Sequence, residues 1–132
     1  MASAVYPTFK AGVLQGTWNL STAVVRAVLI DTGTYTYSTA HDFYNDLSGV
    51  VGTESGALAN KTFTAGVFDA DNITFTAVTG ATVEAIVYFV DTGNVATDAL
   101  ICYVDSATSG LPATPNGGDI NITHHASGIF SL

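Results

Sequence analysis

Two Asp-Thr-Gly triplets are the residues of this chain whose type and spacing could do chemistry. Asp31-Thr32-Gly33 follows the apolar run 27–30, and Asp91-Thr92-Gly93 follows the apolar run 86–90. In an aspartic protease, two aspartates on such loops face each other across a shared water molecule. The triplet is also a common turn, because Asp bonds its own backbone and Gly accepts a positive φ. The alternatives are therefore a catalytic dyad and two structural turns.

The residues around the triplets favour the structural turns. The residue after each Gly is Thr34 or Asn94, where aspartic proteases usually have Ala or Ser, and no second strand with an apolar-apolar-Gly pattern follows. A chain of 132 residues is also too short for two full lobes. We therefore expect no catalytic residue and no enzyme activity. A dimeric aspartic protease that uses Asp31 and Asp91 is the remote alternative.

The acidic segment 68–72 has the composition of a calcium loop but not its spacing. An EF-hand loop needs a Gly at its sixth position and a Glu at its twelfth. Counted from Asp69, those positions hold Thr74 and Gly80. We expect a turn here, with an irregular calcium site as the alternative.

The histidines and the single cysteine predict no metal centre. His124 and His125 would point to opposite faces of a strand, which is poor geometry for one metal ion. His124 continues the apolar face of residues 120–122, so we expect it to be partly buried. His41 has neither a Cys nor a second acid at ligand spacing, and Cys102 lies in an apolar run typical of a buried thiol. We expect no metal and no cofactor, and a reactive Cys102 thiol is the alternative.

The composition excludes several classes of partner. Only 11% of the residues are charged, and three Lys or Arg against eleven Asp or Glu give a formal net charge of −8. Nucleic-acid binding needs clustered Lys and Arg, and an anionic membrane repels such a chain. No apolar stretch approaches the ~20 residues that cross a bilayer, and Met1 begins no recognisable secretory signal. We expect a protein partner, no nucleic acid, no membrane, and synthesis in a reducing cytosol.

Any site must be positioned by the strands of the fold. Short apolar segments and segments that alternate between apolar and polar residues predict an all-β fold in a single domain, residues 1–132. The pattern predicts an antiparallel β-sandwich, jelly-roll-like, with one or two short helical segments. The predicted strands are residues 24–30, 61–64, 73–77, 85–90, 100–104, 120–123 and 128–132. Residues 40–47 are a helical turn. Within the N-terminal segment 1–20, residues 5–16 form a short helix or an irregular arm that ends at Gly16.

Two predicted strands, residues 85–90 and 100–104, are apolar on both faces. Since a two-layer sandwich buries only one face of each sheet, the second face needs further cover. The N-terminal segment or a neighbouring subunit could provide it. This predicts a homo-oligomer, dimer or trimer.

Most of the chain resembles a recurring pattern of small tailed-phage proteins, in which a strand, an FDADD-like turn and another strand follow one another. The matching segments are residues 61–64, 67–75, 86–93, 100–105 and 110–120. In the first half, an aromatic N-terminal segment, the apolar strand ending at Asp31 and residues 38–47 also fit. The departures are Asn72, where a second acid is common, and the His124-His125 pair.

The resemblance implies a structural virion protein, most simply a head decoration or cement protein made in the bacterial host. Such a protein binds the major capsid protein on the outer surface of the shell and bridges capsid subunits. The alternative is a tail or baseplate component, or a carbohydrate-binding module, with an aromatic surface. The aromatic candidates for that surface are Trp18, Tyr35, Tyr37 and Tyr44.

Overall fold

The strands and helices are those of a computed structural model, which describes residues 4–105 and 109–132. In chain order, the elements are β1 Ala4–Val5, α1 Pro7–Leu14, β2 Val25–Ile30, β3 Val50–Val51, β4 Val67–Phe68, β5 Ile73–Phe75, β6 Ala85–Val90, β7 Leu100–Val104, β8 Ile120–Ile122 and β9 Phe130–Ser131. Short 3₁₀ turns occupy Tyr44–Asp46 and Thr64–Gly66. All paired strands are antiparallel. The predicted all-β class is confirmed.

The described strands form one central sheet and two small ribbons. The central sheet has five strands in the order β1-β7-β6-β2-β3. β4 pairs with β9 and β5 pairs with β8, each as a separate two-stranded ribbon. A second sheet facing the first, as a sandwich requires, is not confirmed.

The middle of the central sheet is buried on both faces by other parts of the same chain. All residues of β6 and β7 are buried. Alternation along β6 places Phe89 on one face and Tyr88 on the other. The Phe89 ring packs edge-on against Tyr44, with ring centroids 4.9 Å apart. On the opposite face, the Tyr88 hydroxyl lies 2.8 Å from Nε2 of His124. The second face, for which the N-terminal segment and a neighbouring subunit were the alternatives, is therefore covered within the chain.

The N-terminal helix is confirmed as α1, and its ends follow from local chemistry. Pro7, which opens the helix, lacks only an N–H that would have no partner in the first turn. Gly16 has φ of 77°, and its N–H donates to the carbonyl of Val13 (3.1 Å). This left-handed residue ends the helix, as predicted. Phe9 is 1% exposed and anchors the helix to the core. With eight residues, α1 cannot span a bilayer, and no helix among the described residues is long and apolar enough to do so.

Two short predicted segments are smaller in the structure. The predicted strand at 61–64 is reduced to one bridge between Thr62 and Asp69, followed by the 3₁₀ turn at Thr64–Gly66. The predicted helical turn at 40–47 contains the short 3₁₀ turn Tyr44–Asp46.

Candidate functional site

The two Asp-Thr-Gly triplets lie at opposite ends of one strand pair. Asp31 follows the end of β2 and Asp91 follows the end of β6, and these two strands are antiparallel. Since Ile30 pairs with Ala85 and Val25 with Val90, the triplets are roughly 20 Å apart along the sheet. The two carboxylates of one chain therefore cannot share a proton.

Each aspartate holds its own turn. The N–H of Gly33 donates to Oδ1 of Asp31, and the N–H of Gly93 donates to Oδ1 of Asp91, both at 2.9 Å. In addition, Nε of Arg26 donates to Oδ2 of Asp91 at 2.7 Å, between side chains 28% and 23% exposed. The hydrogen bond from Arg26 is the main cause that lowers the pKa of Asp91, and the hydrogen bond from the Gly93 N–H lowers it further. Asp91 is thus held as a carboxylate.

We expect Asp91→Asn to lower the free energy of unfolding by about 1–2 kcal/mol at neutral pH, because Arg26 loses a charged hydrogen bond. The folded pKa of Asp91 is depressed, so its contribution is present above the ordinary Asp pKa of about 4 and is lost as the pH falls below it. Urea unfolding at several pH values measures both effects. The matched control is Asp31→Asn, which keeps the same turn but has no arginine partner in the structure. Equal losses in the two variants would contradict this account.

The acids of the alternative calcium site bond to neighbouring groups of the fold. Oδ1 of Asp69 accepts the N–H of Ala70, and Oδ2 of Asp71 accepts the side-chain amide of Asn60 at 2.6 Å. In residues 4–105 and 109–132, no group of three or more His, Cys, Asp or Glu side chains is placed to hold a metal ion. Residues 69–72 connect β4 to β5.

The histidines and Cys102 also have structural surroundings. His124 is half-buried, as predicted; its Nδ1 lies 3.1 Å from the carbonyl oxygen of Ala70, in addition to the Tyr88 contact. His125 is exposed, and its Nδ1 accepts the N–H of Ser127. The Cys102 thiol is 1% exposed, and burial raises its pKa, which confirms the predicted buried thiol.

A carboxyl pair that the sequence reading missed lies at Asp42 and Asp46. Oδ2 of Asp46 accepts the N–H groups of Asp42 and Phe43, which closes the 3₁₀ turn. Burial and the hydrogen bond with Asp46 raise the pKa of Asp42, whereas the hydrogen bond from the Asp42 N–H lowers the pKa of Asp46. An acid four residues before another was the only signal in the sequence. The pair serves the turn.

The predicted aromatic surface is not assembled as expected. Tyr35 is 2% exposed, and its hydroxyl lies 2.8 Å from that of Tyr6 and 2.7 Å from Nδ1 of His41. Tyr37 packs against Tyr6, with ring centroids 5.0 Å apart. Tyr35, Tyr37 and Tyr44 therefore help to cover one face of the central sheet.

Trp18, the remaining candidate, lines an open apolar groove of about 420 Å³. Three segments form this groove. The first is α1 with the loop that follows it, the second is the 3₁₀ turn Thr64–Gly66 with β4, and the third is the C-terminal segment around β9. The described residues that line it include no charged side chain. We identify this groove as the candidate functional site.

Four phenylalanines form a continuous row of rings in the groove. The ring centroids of Phe9 and Phe130 are 6.2 Å apart, those of Phe130 and Phe68 are 5.3 Å apart, and those of Phe68 and Phe63 are 5.6 Å apart. Phe9 and Phe68 are buried, whereas Phe63 is 45% exposed. The row thus leads from the core to the surface and presents an apolar aromatic face to solvent.

Gly12 fixes the position of Trp18 in the groove. A Cβ added at Gly12 would lie 2.4 Å from Cδ1 of Trp18, so only glycine allows the indole ring to pack against α1. We expect Gly12→Val to displace this ring into solvent, to shift its fluorescence to longer wavelength and to cost about 1–3 kcal/mol of stability. The matched control is Ala11→Val, at an exposed neighbouring position of α1. An unshifted emission spectrum in Gly12→Val would contradict the packing described.

No protein-family model matches this chain, and no curated protein is similar to it in sequence.

Proposed function

We propose that this protein is a structural protein of a tailed-phage virion, namely a decoration protein that binds the outer surface of the head and stabilises it. The resemblance of the strand and turn segments to small phage proteins supports this proposal. The observation that carries it is the open aromatic groove on a chain whose central sheet needs no further cover. The groove is the apolar surface left for a partner, which we propose is the major capsid protein.

The mechanism is bridging by many weak contacts. A shell offers many equivalent sites, so each copy can bind modestly while the bound copies together stabilise the assembly. Each copy that binds only the assembled shell shifts the equilibrium away from disassembly. The net charge of −8 suits an outer surface, where no phosphate has to be neutralised.

The direct test is to add the purified protein to undecorated phage heads and to sediment the heads. We expect saturable co-sedimentation and a higher temperature of head disruption. Tails purified from the same phage are the control. Binding to tails and not to heads would move the proposal to the tail or baseplate alternative, and binding to neither would contradict a virion role.

A homo-oligomer remains a prediction that needs a different argument, because the doubly apolar strands are covered within one chain. Size-exclusion chromatography with light scattering separates monomer, dimer and trimer. A monomer at all concentrations would contradict the predicted oligomer and leave the decoration role unaffected.

A further inference from the structure

The chain contains one Asn-Gly pair, Asn116-Gly117, and both residues are exposed. Asparagine is among the thermolabile residues of proteins, because the backbone nitrogen of the next residue can attack its side-chain amide. Glycine obstructs this attack least, since it has no side chain. The other six asparagines each precede a residue with a side chain, namely Leu20, Asp46, Lys61, Ile73, Val95 or Ile122. The sequence therefore favours Asn116 as the position that loses its amide.

The fold engages the nitrogen that would make this attack. The N–H of Gly117 donates to the carbonyl of Val78 at 2.7 Å, and the N–H of Val78 donates to the carbonyl of Gly118 at 3.0 Å. These bonds continue the antiparallel ribbon of β5 and β8. We call the contact of residues 77–78 with residues 116–119 the loop pairing. The Gly117 amide must lose its proton before it attacks, and an amide that donates to a carbonyl does so only after local opening.

Two side-chain oxygens complete the loop pairing. Oδ1 of Asp119 accepts the N–H of Ala77 at 3.1 Å, and Oδ1 of Asn116 accepts the N–H of Gly118 at 2.9 Å. The side chain of Asn116 and the backbone nitrogen of Gly117 are therefore both held by hydrogen bonds while the loop pairing is closed. Because the residues are exposed, water and hydroxide reach them as soon as it opens.

We propose that Asn116 is a deamidation site whose reaction is controlled by opening of the loop pairing. In the open state, hydroxide removes the proton of the Gly117 N–H, and the nitrogen forms a bond to Cγ of Asn116. The bond from Cγ to Nδ2 breaks, and Nδ2 takes a proton from water and leaves as ammonia. Water then adds to one of the two carbonyls of the cyclic imide and breaks the bond from that carbonyl to the nitrogen. The product is aspartate or isoaspartate, and the reaction needs no partner and is independent of the proposed function.

The two products differ in what they do to the loop pairing. Aspartate keeps an oxygen in the place of Oδ1, so the N–H of Gly118 keeps its acceptor. Isoaspartate carries the main chain through its side-chain carbons and so inserts one additional atom before Gly117. This insertion shifts Gly117 relative to Val78, and the loop pairing cannot close again in its original register. Formation of isoaspartate is therefore a one-way opening of this end of the ribbon.

Incubation at mildly alkaline pH, followed by mass spectrometry of the peptides, tests the proposed site. In urea, we expect Asn116 to be converted before every other asparagine, to a mixture of aspartate and isoaspartate. In the folded protein, conversion of Asn116 should be at least about tenfold slower, because the reactive state is populated only by local opening. Earlier conversion of another asparagine in urea would overturn the assignment of the site. Equal rates in the folded protein and in urea would overturn its control by the loop pairing.

Asp119→Ala separates the effect of the fold from the chemistry of the reacting residues. It removes the acceptor of the Ala77 N–H, so the folded variant should deamidate about threefold faster than the wild type, with an unchanged rate in urea. Hydrogen exchange at the Gly117 amide needs the same opening and should accelerate equally. The matched control is Asp71→Ala, which removes an exposed acid that bonds Asn60 outside the loop pairing. Equal rates in the two folded variants would overturn the role of the pairing.

Asn116→Asp tests the consequence assigned to isoaspartate. This variant has the charge of the aspartate product and an unextended main chain, so its Gly117 amide should exchange as slowly as in the wild type. The isoaspartate form, separated by chromatography, should exchange at least about tenfold faster at this amide, relative to the rate of each form in urea. Equal protection of the Gly117 amide in the two forms would overturn the one-way opening.

Discussion

Replacing Phe89 with Ala is expected to lower the free energy of unfolding by about 3–5 kcal/mol. Phe89 is 0% exposed in the middle strand of the central sheet, and its ring contacts Tyr44 from the covering segment. The substitution leaves a cavity that strands paired on both sides cannot close. Chemical denaturation of the purified protein measures the loss.

The same measurement tests where the cover of the sheet comes from. Because Tyr44 belongs to the same chain as Phe89, the loss should not depend on protein concentration. A loss that changes with concentration would instead indicate cover by a second subunit. The control is Val95→Ala, at a residue 52% exposed, which should change stability by less than about 0.5 kcal/mol.

Gly110→Ala is expected to cost at least about 3 kcal/mol, because an added Cβ would lie 2.4 Å from the carbonyl oxygen of Asn121 in β8. Gly110 also has φ of 108°, which a residue with a side chain rarely adopts. A backbone oxygen in a paired strand cannot move aside as a flexible side chain can. Thermal or urea unfolding measures the effect.

Gly117→Ala is the matched control for this prediction. Gly117 has φ of 88°, and a Cβ added there meets nothing within 4 Å. This variant should lose only about 1–2 kcal/mol of stability, which is the conformational cost of a side chain at a left-handed position. The difference between the two variants then measures the close approach to β8, and equal losses would contradict it.

The sequence predicts the elements that have strong local patterns. The three long strands of the central sheet, β2, β6 and β7, are apolar runs bounded by turn residues, and α1 ends at Gly16 as predicted. The predicted sandwich is not confirmed. The segments that cover the central sheet have no regular alternation of apolar and polar residues, so the sequence does not show how they pack. Tyr44, for example, covers Phe89 from a 3₁₀ turn whose residues show no helical or strand repeat.

The groove could not be predicted because its residues are far apart in sequence. The contacts of Phe130 with Phe9 and Phe68 exist only after α1 and the ribbon of β4 and β9 have packed together. The Asp-Thr-Gly triplets show the converse. Their local turns follow from the sequence, but their separation follows from the antiparallel pairing of β2 with β6.

The short outer strands of the central sheet have a consequence for crowded copies of the chain. Within residues 4–105 and 109–132, the sheet ends in β1 and β3, each of two residues, so its described borders offer few unsatisfied backbone donors and acceptors to another molecule. Long unpaired edge strands allow identical chains to pair edge to edge and to form fibrils. Concentrated solutions of this protein should therefore resist fibril growth, even though the sheet interior is rich in Val and Ile.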